Sequence, residues 1–418
     1  MENLPVEVFD IIASYIQLRA YQQLRLSSRQ LYSLTLSTFA KRYFVELTTT
    51  LGSPSLDRLV SISKHAYFSA ITKRLKIKLL THDDYKTLTD VARVGIYPPP
   101  KRFSMVPKIR IADIEGESSL YRDLVSGDQP KCCITKRLAR AFRGFQNLKD
   151  IRFRTLNSDS GAWLFRDMSD DQKFRAKCFQ AVLESVVESE MELEELCMAR
   201  NMGTSHLHRG VNLAATDLQL SLPVLSALQQ SFVNLQSLTL SLVAKSNGGS
   251  RVPGWENGTS QLLSCAPNLR HLAMSLDCSA RISHYSAAIV KSLASSCRFP
   301  ALESLHLMNC TAHEHDLEQF ITAHAESLQV LTLDVPCMLS GCLITFWVSL
   351  KNVKGLRRFR FGPTKVKGTD VPLPGIKERL RMTRLDTIES RKQMSDMLDE
   401  LITLTSAEDG ALAFDSTS

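Results

Sequence analysis

Residues 301–335 read ALESLHLMNCTAHEHDLEQFITAHAESLQVLTLDV, and one spacing occurs in them twice. Leu302, Leu305 and Leu307 form the first copy, with Cys310 three residues further on. Leu328, Leu331 and Leu333 form the second. Side chains alternate along a strand, so Leu305 and Leu307 share one face, as do Leu331 and Leu333. Between the copies, over 315–325, Leu317, Phe320, Ile321 and His324 recur at helical spacing. The window is therefore strand, helix, strand. A unit of this size cannot bury its apolar face alone and must stack on neighbours of the same kind.

The neighbours are present. Toward the N-terminus the spacing recurs at Leu269, Leu272 and Met274, at Leu235, Leu238 and Leu240, at Leu193, Leu196 and Met198 (followed by Asn201), and at Leu148, Ile151 and Phe153. Toward the C-terminus it recurs at Leu356, Phe359 and Phe361. The intervals are irregular and shorten along the chain. The pattern L-x-x-L-x-L, with Asn or Cys three residues on, resembles the leucine-rich-repeat signature. An ordinary α/β domain with helical crossovers is the alternative. Repeated copies in chain order, most preceded by an apolar helical or turn-bounded segment, favour the repeat.

Composition sets limits. The chain has 418 residues, 44% hydrophobic and 22% charged, enough for two domains or one long solenoid. The 51 basic and 43 acidic residues leave a net charge of +8, a mild excess that does not mark a nucleic-acid binder. MENLPVEVFDII lacks a basic segment ahead of its apolar part, which predicts no secretory leader. The longest apolar run, CLITFWVSL at 342–350, is too short to span a membrane. Ten cysteines without a C-x-x-C pair read as reduced core residues in the cytoplasm or nucleus, where the sequon Asn257-Gly258-Thr259 goes unused.

The N-terminal residues predict three short helices, at 3–16, 19–27 and 29–43. Pro5 suits a first turn, and Val8, Ile11, Ile12 and Tyr15 recur on one face. LPVEVFDIIASYI followed by QQLRLSSRQLYSLT resembles an F-box through Leu4, Pro5, Glu7, Ile12, Tyr15, Leu24, Arg25, Leu26, Ser28 and Arg29. Ser27 departs from the usual Val, and Tyr32 from a frequent Trp, as in divergent F-boxes of filamentous fungi. The resemblance implies docking to a Skp-family adaptor, and through it a cullin, by Leu4, Pro5, Val8, Ile12, Tyr21, Leu24, Leu26 and Arg29. The fold expected is an α/β repeat: a three-helix F-box, then an irregular leucine-rich-repeat solenoid with parallel strands inside and helices outside.

The expected layout is F-box at 1–50, an opening helix–strand repeat at 51–80 and a linker with a basic helix at 81–140. The repeats then occupy 141–365, an amphipathic capping helix region 366–404 and a disordered tail 405–418. Leu75, Ile77 and Leu79 mark the opening strand; Tyr97-Pro98-Pro99-Pro100 marks the linker. Residues 243–259, with Asn-Gly-Gly and Pro-Gly, read as a loop. Leu385, Ile388, Met394, Leu398 and Leu401 line the capping helix.

Cys310, His313 and His315, with His306 nearby, are the best metal candidate, yet Cys310 already has a repeat role. His206 and His208 form a weaker cluster read as solvated surface. Serine-elbow, Walker, dinucleotide-binding and His-Glu-x-x-His patterns are missing, so no cofactor is expected. The residues flanking the inward leucines would line a concave face. They run from Asp150, Arg152 and Arg154, through small polar rungs with His271 and His306, to Arg358 and Arg360. The arginines suit an acidic or phosphorylated target, unless they pair with the chain's own acids such as Asp150 and Glu195. The function expected is the non-catalytic substrate-recognition subunit of a cullin-RING ubiquitin ligase. A non-degradative scaffold and an α/β enzyme are the alternatives.

Overall fold

The computed structural model describes residues 6–79, 131–155, 169–198, 213–243, 254–276, 283–334, 336–362, 365–366, 369–370 and 391–415. Three helices come first: α1 (Val6–Tyr15), α2 (Leu18–Ser27) and α3 (Arg29–Tyr43). They enclose a small core of Phe9, Ala13, Tyr21 and Leu31. Ser28 caps α3, its hydroxyl accepting from the Gln30 amide at 3.2 Å and the Leu31 amide at 3.5 Å. Arg42 reaches back to the C-terminal end of α1, donating to the carbonyls of Ala13 at 3.0 Å and Ile16 at 3.1 Å.

The repeated spacing then becomes one parallel sheet. Its strands follow chain order: β1 (Glu46–Thr49), β2 (Arg74–Leu79), β3 (Asp150–Thr155), β4 (Glu195–Cys197), β5 (Ser237–Val243), β6 (His271–Leu276), β7 (Ser304–Met308), β8 (Val330–Asp334) and β9 (Arg358–Phe361). The short strand Leu213–Ala214 also pairs with β5. The register is continuous. Leu47, Leu75, Ile151, Leu196, Leu238, Leu272, Leu305, Leu331 and Phe359 stand opposite one another in turn, all buried. A sheet whose strands run the same way needs a crossover between each pair, and helices supply it.

Those helices are α4 (Ser53–Ser63), α5 (Ala66–Ile71), α6 (Lys131–Gly144), α7 (Ser169–Ser189), α8 (Leu222–Ser231), α9 (Asn257–Ser264), α10 (Ser283–Ser296), α11 (Glu314–Thr322) and α12 (Leu343–Leu350). Helix α4 packs on α6, α6 on α7 and α7 on α8; α9 packs on α10, α10 on α11 and α11 on α12. Their apolar residues and the strand leucines form one continuous core. The chain is thus an α/β protein with a large parallel sheet and a solenoid-like stack of helices. Asparagines tie successive turns together. Asn147 and Asn268, each just before the first leucine of a copy, donate to the carbonyls of Ala70 at 2.6 Å and Val233 at 2.8 Å. Asn234, in the same position, donates to the Glu192 carboxylate at 2.6 Å. At Gly144 a side chain would meet Ser63 at 2.7–2.8 Å, so α6 and α4 approach closely there.

Several expectations need correction. Residues 46–49, assigned to the N-terminal helical unit, form the first strand of the sheet, because Leu47 and Thr49 bury beside β2. Helix α6 belongs to the helix layer rather than to a linker: Ile134, Leu138 and Phe142 are buried against α4 and α7. The segment read as a loop at 243–259 ends in structure. Trp255 is buried and stacks on Tyr285 at 5.9 Å, and α9 starts at Asn257, with Thr259 buried. A second small sheet, absent from the expected layout, joins Thr311–Ala312, Cys337–Met338, Lys365–Val366 and Thr369–Asp370. The C-terminal helix α13 (Arg391–Asp415) runs past 404 into the expected tail. It packs on α12 through buried Met394, Leu398 and Leu401 and a bond from Trp347 Nε1 to Thr405 Oγ1 at 3.3 Å. That packing holds the helix together beyond the point where its apolar pattern fades. Leu385, Ile388, the 81–130 segment and Asn201 lie outside the described residues.

Leu305 is fully buried while Ser304 lies half-buried on the opposite face. Leu305→Ala is expected to cost about 2–5 kcal/mol by opening a cavity. Ser304→Ala should stay within about 0.5 kcal/mol. Urea titration distinguishes the two, and equal losses would contradict the register.

His324 gives a pH test. Its Nδ1 donates to the Phe320 carbonyl at 2.7 Å and its Nε2 accepts from the Phe299 amide at 3.1 Å, so the buried ring is neutral. Burial pushes its pKa below the ordinary value; the bond to Phe320 opposes this and the Arg298 charge adds to it. The unfolded chain therefore takes up this proton at higher pH than the folded chain. Its stabilisation is present above about pH 6.5 and is lost as pH falls through the lower folded value. Urea midpoints of the wild type should fall between pH 7.5 and 5.5 by more than those of His324→Gln.

Candidate functional site

Two surfaces of the described residues combine exposure with chemistry. The first is on the N-terminal helices. Helix α1 buries Phe9 and Ala13 but exposes Val8, Ile11 and Tyr15, at 42%, 62% and 84%. The spacing i, i+3, i+7 puts these three on one stripe, facing away from the small core. Leu18, Leu26 and Tyr32 add exposed apolar surface on the next two helices, Leu26 at 86%.

Of the residues expected to meet an adaptor, Val8, Leu26 and Arg29 are exposed, and Ile12 and Leu24 are half-buried. Tyr21 is a correction: it is fully buried, with its hydroxyl donating to the Thr35 carbonyl at 3.2 Å. Leu4 and Pro5 lie outside the described residues. Ile11 and Tyr15, which share a face with Val8, turn outward because Phe9 and Ala13 take the inner face. The periodicity read from the sequence is that of Val8, Ile11, Ile12 and Tyr15, and periodicity alone does not say whether a stripe is covered. Arg25 is buried between the rings of Tyr32, at 4.4 Å, and Phe39, at 3.9 Å, so it holds α2 on α3.

The second surface is the sheet face opposite the helices. Register fixes its rows. Glu46, Arg74, Asp150, Glu195, Ser237, His271, Ser304, Val330 and Arg358 form one row. Thr48, Lys76, Arg152, Cys197, Thr239, Ala273, His306, Thr332 and Arg360 form the next. At the N-terminal end a charge network closes on itself. Arg152 donates through Nη2 to both Glu195 carboxylate oxygens at 2.9 and 3.0 Å, and through Nε to Asp150 at 3.1 Å. Arg74 pairs with Asp150 and with Glu46, and Lys76 pairs with Glu46. Burial opposes ionisation of Glu46, but hydrogen bonds and charge from Lys76 and Arg74 together hold its carboxyl below the usual range.

This corrects the expectation for Arg152, whose fork is taken up by the chain's own carboxylates. Arg360 lies beside Asp334, its Nε 3.3 Å from Oδ1 as an ion pair without hydrogen-bond geometry, and His306 Nε2 lies 3.2 Å from the other Asp334 oxygen. His271 and Arg358 are exposed. The Arg154 side chain lies outside the described ones, though its backbone stands in register with Lys78. Lys78, the third alternate residue of β2, belongs to the same face.

The metal candidates do not converge. Cys310 is buried, His313 Nδ1 sits 2.8 Å from Ser340 Oγ, and His315 is exposed. Among the described residues no group of three His, Cys, Asp or Glu is arranged to hold a metal ion. His206 and His208 lie outside the described residues. The described cysteines are all free thiols. Burial raises the pKa of Cys178 strongly, and pushes Cys265 and Cys297 up to about 11, so they stay protonated and act as core residues. On the helix side, an uncharged cleft between α8 and α9 is lined by Leu222, Gln229, Asn257 and Gln261. No described helix is long and apolar enough to cross a membrane.

Comparison with known proteins adds no relative: no family model matches the chain, and no curated protein matches it.

Asp150 is the hinge of the charge network, bonded to Arg74 and Arg152 with its side chain 12% exposed. Asp150→Asn leaves two guanidinium groups facing each other. It is expected to cost about 1–3 kcal/mol in urea unfolding, and raised salt should recover part of the loss.

Proposed function

We propose that the chain is the substrate-recognition subunit of an SCF-type cullin-RING ubiquitin ligase. In this reading the three N-terminal helices are an F-box that docks on a Skp-family adaptor, and the strand–helix units are leucine-rich repeats that hold a protein target. One observation carries it: α1 buries Phe9 and Ala13 on one side and exposes an apolar stripe of Val8, Ile11 and Tyr15 on another. An apolar stripe left in water on a helix that already has a core marks a surface for another protein. Among the described residues the core beneath it, Phe9, Ala13, Tyr21 and Leu31 with Ile16, Leu24 and Phe39 packed on it, is small for an independent unit, which suits a module that gains stability from its partner.

The chain contributes no catalytic group in this role. It acts by proximity, keeping a target at high effective concentration beside the ubiquitin-transferring machinery, in the cytoplasm or nucleus. Bound target and docked adaptor must then hold a fixed geometry, and the repeats give the rigid body for it.

The test uses the full chain, because a cut at residue 80 would separate β2 from β3 and open the sheet. Ile11→Asp combined with Tyr15→Asp removes apolar surface worth about 1.5–3 kcal/mol per side chain once covered. Capture of a Skp-family adaptor should weaken by well over about tenfold. The thermal midpoint of the free chain should hold, since both residues face solvent. Undiminished capture would exclude the F-box reading.

A further inference from the structure

We propose that the sheet face opposite the helices binds an extended, carboxylate-rich segment of a protein partner, laid across the strands with its acidic residues toward the two ends. The proposal rests on the recruiting role argued above and names the chemistry of what is recruited.

The charges on this face carry it. Every described carboxylate in the rows already has a cation: Glu46 has Arg74 and Lys76, Asp150 has Arg74 and Arg152, Glu195 has Arg152, and Asp334 has Arg360. Lys78 on β2 and Arg358 on β9 are left over, half-buried and exposed respectively, without an ion-pair partner among the described residues. Among the described residues of this face no acid is left to receive a cationic ligand, while Lys78 at one end and Arg358 at the other can receive an anion. Phosphate recognition wants several free donors converging on one point, and at neither end do two unengaged arginines of the described set meet. Single, separated cations fit separated carboxylates.

The space between the ends fits a chain. Ser237, Thr239, Ala273, Ser304 and Thr332 are short side chains, so a backbone can approach the sheet while their hydroxyls meet its peptide groups. Strands lie about 4.8 Å apart, so the seven steps from β2 to β9 span roughly 34 Å, less any curvature. An extended peptide covers that in about ten residues.

The probe is a fluorescent peptide of about twelve residues, with Asp-Glu pairs at both ends and Gly-Ser between, measured by anisotropy against the full chain. Binding should fall with salt, and should weaken at least about tenfold in Lys78→Glu combined with Arg358→Glu. Ala273→Phe, which fills the middle of the track without touching charge, should weaken it as well. The Asn-Gln version of the peptide should not bind. Equal binding of that neutral peptide, retention by the charge-reversed chain, or preference for a phosphoserine peptide over the acidic one would each overturn the proposal. Adaptor capture is measured on the same preparations. It should survive both variants, so lost peptide binding with adaptor held speaks to this face alone, whereas a wild-type chain that captures no adaptor overturns the recruiting role instead.

Discussion

Side chains alternate along a strand, and every strand of this sheet enters with the same parity. Leu47, Leu75, Ile151, Leu196, Leu238, Leu272, Leu305, Leu331 and Phe359 all fall on the helix side. A shift of one residue in any strand would carry its leucines into water and its polar rungs into the core. The helices depend on that choice, since their apolar residues and these leucines form one core. The asparagines at 147, 234 and 268 fix the turn before each copy and so protect the parity.

The same parity builds the opposite face. Residues two apart in sequence and one strand apart in space become neighbours, which is how Asp150 comes to serve both Arg74 and Arg152, and Asp334 both His306 and Arg360. Arg152, half-buried beside Asp150 and Glu195, has its fork satisfied at short range, where the low local dielectric favours the pair. It is poorly placed to reach for a ligand. Lys78 and Arg358 have no acid opposite them or one rung away on the neighbouring strand.

The N-terminal helices keep a separate core but are not loosely strung to the sheet. Phe39, from α3, meets Phe44 at 5.6 Å, and Phe44 stacks on Phe68 of α5 at 4.0 Å. This aromatic bridge hands the chain directly from α3 into β1. It gives the exposed stripe on α1 a defined position relative to the sheet.

The seven clear copies of L-x-x-L-x-L, and the helix between 315 and 325, are legible in the chain because period two and period 3.6 are local properties. The cap that Ser28 makes on α3 is local too, whereas Arg25 stacks only because Phe39 of the next helix is brought over it. Pairing is not local. Whether Arg152 is free depends on a carboxylate 43 residues away at Glu195, and whether β1 exists depends on β2 offering it an edge. Which stripe of α1 lies inside depended on Phe9 and Ala13 meeting Tyr21 and Leu31. The extent of α13 depended on Trp347 meeting Thr405. Sequence alone determined the repeat and its parity; tertiary structure decided which charges were satisfied and which apolar faces were covered, because those depend on neighbours that only the folded register brings within a few ångströms.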